Sequence, residues 1–169
     1  MFRRICTFII IFLISNLSYS DDNNQLLLHE KTKKISEFTL IDIEGKEHLI
    51  SKNTSKLLLI NFWATWCPPC IKEIPDLLNL KKKYDDQIEI FFISVDSNAS
   101  KKVPKFLKKN DLSEIKAYKD EKLKITDKFK VNVMPTTLII NEGLEEVSRV
   151  EGFVDWLNEE NISFIEKLL

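Results

Sequence analysis

Six almost uninterrupted apolar residues, Leu57-Leu58-Leu59-Ile60-Asn61-Phe62, run toward Cys67-Pro68-Pro69-Cys70, and from Pro68 the apolar pattern changes its period. A short run of this kind is what a strand buried on both faces requires. After it, Ile71, Ile74, Leu77, Leu78 and Leu80 recur at helical spacing with lysines on the other side, which predicts a helix from Pro68 to about Tyr84. Pro75 falls inside that helix, removes a backbone donor and predicts a kink. A buried strand that leads straight into a helix points to a fold in which helices cover a sheet.

The rest of the chain continues the alternation. Ile88 to Val95 reads as a second buried strand, and Ser100 to Asn110 as a second helix with Phe106 and Leu107 inward. A short extended piece at Ile115 to Tyr118, a helix at Leu123 to Phe129 and a third main strand at Val133 to Ile140 follow. Glu142-Gly143 turns the chain into an antiparallel strand, Val147 to Val150, and Asp155 to Leu168 closes it as a helix. Upstream, Ile35 to Ile43 and Lys46 to Ile50 flank Glu44-Gly45 and predict a hairpin ahead of the main sheet, while residues 21–34 are polar and aperiodic and read as a linker. The fold class is α/β: a mixed central sheet flanked by helices, with an N-terminal β-hairpin extension, in one domain over residues 35–169.

Residues 1–20 place Arg3 and Arg4 before an uncharged apolar run, with Ser18 and Ser20 before Asp21, the layout of a secretory signal peptide. The run from Ile5 to Ser20 would make a helix of about 24 Å against a bilayer core of about 30 Å, which favours cleavage over retention as a membrane anchor. Without this leader, 23 basic residues face 26 acidic ones, a formal charge of −3. No basic field is left for nucleic acid. The clusters Lys81-Lys82-Lys83 and Lys101, Lys102, Lys105, Lys108, Lys109 fall in helical segments and read as solvated faces.

Cys6 lies in the leader, so the domain holds only Cys67 and Cys70. A bridge across so short a loop adds little by constraining the unfolded chain, so the pair is there for redox chemistry or for metal. At a strand-to-helix junction the Cys67 sulfur sits near unsatisfied N–H groups and the positive end of the helix dipole, which favours the thiolate that attacks disulfides. Cys70, one turn later, is placed to attack the resulting mixed disulfide. Cys67 is expected to be exposed and Cys70 buried. Pro68 and Pro69 preset helical φ values but remove two donors, so a moderate lowering of the Cys67 pKa is expected. Glu73 either buffers the proton of the buried thiol or, exposed in the first turn, complements the dipole. Trp63 and Trp66 are either an apolar landing surface or packing, and Pro135 is either a cis proline beside the cysteines or an ordinary trans proline opening a strand.

Phe62-Trp63-Ala64-Thr65-Trp66-Cys67-Pro68-Pro69-Cys70, then Glu73 and Pro75, then Met134-Pro135-Thr136-Thr137, resembles the thioredoxin superfamily, in particular its TlpA/ResA-like branch, in element order from roughly Ile35 to Leu169. The resemblance implies a periplasmic or membrane-facing thiol-disulfide oxidoreductase, a reductase of a kind that often acts in cytochrome c maturation. Cys67 and Cys70 would be the redox-active disulfide and Glu73 the active-site acid. A cis bond is implied at Pro135, and substrate contacts at Trp66, Pro68, Met134, Pro135 and Thr136. Disulfide-containing proteins would be the substrates and a membrane thiol reductase the electron donor; no cofactor and no metal is implied. Asn61 stands where cytosolic thioredoxins usually carry a buried aspartate, which moves proton handling toward Glu73. Thr136 stands where related cytochrome-maturation proteins often carry an acid. Two other readings stay open. One is a copper-binding assembly factor of the same fold with Cu(I) on two thiolates, although His29 and His48 both precede the cysteines. The other is an oxidase that donates its disulfide, although no large helical insertion separates the strands.

Overall fold

The computed structural model describes residues 24–52 and 56–169; the leader expected at residues 1–20 lies outside them. In chain order the elements are β1 (Leu28–Lys34), β2 (Phe38–Asp42), β3 (Glu47–Ile50), β4 (Leu57–Trp63), α1 (Pro68–Lys83), β5 (Ile88–Ser94), α2 (Ala99–Lys109), β6 (Ala117–Lys119), α3 (Lys124–Lys128), β7 (Thr136–Ile140), β8 (Glu145–Glu151) and α4 (Glu159–Glu166). The strands form one mixed sheet in the order β1-β8-β7-β4-β5-β6-β2-β3.

β4 is buried along its whole length. Leu57, Leu59 and Trp63 belong to the core cluster that also holds residues of α1, α2 and α4, whereas Leu58, Ile60 and Phe62 belong to the cluster on the other face with Phe129 beside α3. Burial on both faces is why the run lacks polar alternation. β5 lies parallel to β4 and β7 antiparallel to it. α1 runs from Pro68 unbroken past Pro75, which is exposed, and buries Cys70, Glu73, Ile74, Leu77 and Leu80. The lysines of α2 are exposed, as a solvated face requires.

Several features differ from the sequence reading, among them the start of the third main strand, which is Thr136 and not Val133. The segment read as a linker contains β1, which pairs antiparallel with β8 through Lys33↔Glu146 and Lys34↔Glu145. Its polar sequence hid it, because an edge strand with little buried surface needs no apolar face and its lysines discourage further pairing. The hairpin is part of the main sheet: β2 pairs β6, Ile41↔Lys119, and forms an edge with β3. Its turn uses Gly45 at φ +97°, and the Asp42 carboxylate accepts from the Lys46 N–H at 2.8 Å. The closing helix starts at Glu159, capped by Asn158, which accepts from the Asn161 N–H at 2.7 Å. The residues before it are drawn inward by the site described next. Among the described residues no helix is long and apolar enough to cross a membrane.

Candidate active site

β4 ends beneath the N-terminus of α1, and Ala64-Thr65-Trp66 make the connection. What holds that loop is Asp96, fully buried just after β5. Its carboxylate accepts from the Thr65 hydroxyl at 2.7 Å, the Thr65 N–H at 2.8 Å and the Ser94 hydroxyl at 2.9 Å. Sequence reasoning passed over Asp96; the available signal was an acid at the end of a strand parallel to the cysteine-bearing one.

Cys67 is the N-cap of α1, with extended backbone, and its sulfur accepts from the Cys70 N–H at 3.4 Å. The two cysteines are joined in a disulfide with Cα atoms 5.3 Å apart. The expectation of an exposed Cys67 needs correction: it is 4% exposed and Cys70 0%. With the pair joined, the residues around Cys67 carry the exposure. Trp66 is 64% exposed, and Pro68 and Pro69 are exposed. Trp63 is packing and not landing surface, fully buried with its ring 5.6 Å from that of Phe106.

The Phe62↔Thr136 register brings the start of β7 to the same end of the sheet. There the Met134–Pro135 bond is cis. Met134 is half-buried and Pro135 buried, while Val133 is exposed. Thr136 is fully buried and its hydroxyl donates to the Val133 carbonyl at 2.8 Å, so its side chain braces the turn. From the other side the Gly152 N–H donates to the Pro135 carbonyl at 2.7 Å. Gly152 has φ +93°, which favours glycine, and a Cβ there would stand 2.7 Å from the Asn24 amide and push that side chain aside.

Glu73 is 1% exposed, which rules out the surface-acid alternative. Asn61, on the α1 side of β4, donates its amide N–H to Oε1 at 2.7 Å and to the Thr137 hydroxyl at 2.9 Å. The Val154 N–H and the Trp156 indole N–H both reach Oε2, at 3.3 and 3.4 Å. Burial pushes the Glu73 pKa up to about 7; the three donors offset this only in part, and Asp76 adds to it. A carboxyl that changes charge near neutrality, one turn from the buried cysteine, is matched to exchanging a thiol proton. Asn61 can serve both forms: its Oδ1 has no partner among the described residues, and a half-turn of the amide would let it accept the O–H of neutral Glu73.

His29 and His48 are bonded to Glu146 and Asp42, three and four strands from β4 in the sheet order. A model of the AhpC/TSA family matches residues 32–145, a span that holds both cysteines, Glu73 and the cis proline. The chain belongs to the AhpC/TSA family. Among its relatives, the thiol-disulfide oxidoreductase ResA of Bacillus subtilis is 32% identical over 150 residues, covering 86% of this chain and 83% of that protein. ResA of Halalkalibacterium halodurans is 33% identical over 132 residues, covering 76% and 73%. A DsbE-type thiol:disulfide interchange protein from Chlorobium tepidum superposes with a TM-score of 0.72 at 24% identity, over 82% of this chain and 97% of that one. The fold is thus thioredoxin-like and the family member a ResA-like thiol-disulfide oxidoreductase.

Proposed function

We propose that this chain works outside the cytoplasm, reducing disulfides of secreted or periplasmic proteins, apocytochrome c included, through Cys67 and Cys70. The observation that carries the reading is the Cys67–Cys70 disulfide at the head of α1 with buried Glu73 one turn further on. In the reduced protein the Cys67 thiolate attacks a substrate disulfide, forming a mixed disulfide and releasing the first substrate thiolate. Cys70 gives its proton to Glu73 and attacks the Cys67 sulfur; the Cys67–Cys70 bond forms, the mixed disulfide breaks and the second substrate thiolate leaves. Two electrons pass to the substrate. Trp66 and Val133 supply apolar contact for an unfolded chain, and Pro68, Met134 and Pro135 contribute to the same binding surface. A membrane thiol reductase restores the dithiol, and residues 1–20 deliver the domain to that side of the membrane, as a cleaved signal or an anchor.

Equilibration of the purified protein against glutathione or dithiothreitol, with thiol trapping, tests the direction. A potential nearer about −270 mV than about −120 mV is expected of a reductase. A value above roughly −150 mV would make the protein a disulfide donor instead.

A further inference from the structure

Residues 152–156, in the connection from β8 to α4, reach the Glu73 oxygen that Asn61 of β4 does not. Both of its donors to Oε2 belong to this segment, the Val154 N–H and the Trp156 indole N–H. Trp156 is fully buried, and the segment is pinned along its length. The Asn24 amide donates to the Glu151 and Phe153 carbonyls at 2.9 and 3.2 Å, and the Asn161 amide donates to the Asp155 carbonyl at 2.9 Å. Gly152 is fixed to Pro135 as described above. An indole N–H is a donor only and cannot accept the proton of a neutral carboxyl, so it favours the charged form of Glu73 over the neutral one.

We propose that Trp156 is a positioning residue for the oxidoreductase reaction: its indole N–H orients the Glu73 carboxylate and holds it ready to accept the Cys70 proton. The inference rests on the proton role proposed for Glu73. The groups that bear on that carboxylate are few. On α1 is Asp76, in turn near Lys72 and near Asp155 of the connection, with Cys70 one turn before Glu73 in the same helix. β4 and β7 contribute uncharged Asn61 and Thr137. No cation donates to Glu73 among the described residues, so loss of one N–H has a visible effect.

The test follows the second, slower release of thiolate when the reduced full-length protein reacts with an aromatic disulfide, the step in which Cys70 resolves the mixed disulfide. Its rate is measured against pH for the wild type, Trp156→Phe, Glu73→Gln and the double variant. The wild type should show an inflection near pH 7. In Trp156→Phe the inflection should move toward higher pH by about 0.5 to 1, making the step about two- to fivefold slower at pH 7 with the high-pH plateau regained. Glu73→Gln should lack the inflection, and adding Trp156→Phe to it should change nothing. An inflection lost in Glu73→Gln but unmoved in Trp156→Phe would overturn the proposal while leaving the role of Glu73 intact. An inflection that persists in Glu73→Gln would overturn both. Should Trp156→Phe not fold, the indole proton resonance of Trp156 in the wild type decides: it should titrate with the same midpoint, and a resonance flat across that range would overturn the proposal.

Discussion

Two buried glutamates on either side of this molecule face opposite surroundings. Glu73 is 1% exposed and Glu146 is 3% exposed. Glu73 receives hydrogen bonds from an amide, a backbone N–H and an indole, all neutral, and burial pushes its pKa up to about 7. Glu146, on β8, also pays for burial, but Arg149 reaches it with two nitrogens at 2.9 and 3.0 Å, with His29 at 2.9 Å and Lys33 at 3.4 Å; together they hold its pKa below the ordinary range. Neutral donors keep a carboxylate in place while leaving it able to take a proton, whereas cations fix the charge. The first arrangement suits proton exchange beside a cysteine, and the second ties the edge strand β1 to the sheet.

The sharpest way to break this contrast is Glu73→Gln. If the neutral-donor site moves protons, resolution of the mixed disulfide at pH 8 should slow by about 100-fold, while the first attack by Cys67 changes little. Stopped-flow release of both thiolates separates the steps; a second step within threefold of wild type would sink the assignment.

The next effect concerns stability. Glu146→Ala should lose about 2–3 kcal/mol at pH 7 in urea unfolding, because Arg149 is left half-buried without its partner, and the redox potential should not move. Glu73 works in the opposite sense. Its folded value lies above the ordinary 4.5, so between about pH 4.5 and 7 the folded state binds the extra proton and stability falls as pH rises. Glu73→Gln should therefore stabilise the protein at pH 8 by about 1–3 kcal/mol and do little at pH 4. For Glu146 the folded value lies below the ordinary one, so its contribution is present above pH 4.5 and is lost as pH falls through the lowered value. Unfolding of the two variants across pH 3–9 should show opposite trends, and parallel curves would remove the comparison.

How far the sequence displayed this follows from the range of the contacts. β4, α1, β5 and β7 were legible because burial on both faces, or a clean helical period, leaves its mark within a dozen residues. Cys67 and Cys70 were legible as chemistry, and Asn61 shares the α1 face with Leu59 and Trp63 by strand alternation alone. Glu73 was ambiguous between buried base and surface acid because helical spacing places it toward α1's buried face without saying what comes down on it. What comes down on it is Trp156, 83 residues later, and no local pattern announces that contact. Asp96 reaches Thr65 across 31 residues and escaped notice for the same reason. β1 was missed for a different cause: a polar edge strand looks like a linker until its partner, β8, is known.

The smallest expected effect is also the most discriminating for the cationic side. His29→Gln leaves Arg149 and Lys33 on Glu146 and retains a neutral donor in place of the imidazole. If Arg149 is what pins the charge, His29→Gln should cost no more than about 0.5–1 kcal/mol near pH 7, whereas Arg149→Met should cost about 1.5–3 kcal/mol and make the loss of stability begin at higher pH on acidification. Equal costs from the two variants would mean that the Arg149 charge adds little at Glu146 beyond what a neutral hydrogen bond supplies. Exchanging neutral donors for cations around Glu73 would then no longer be expected to abolish its proton exchange.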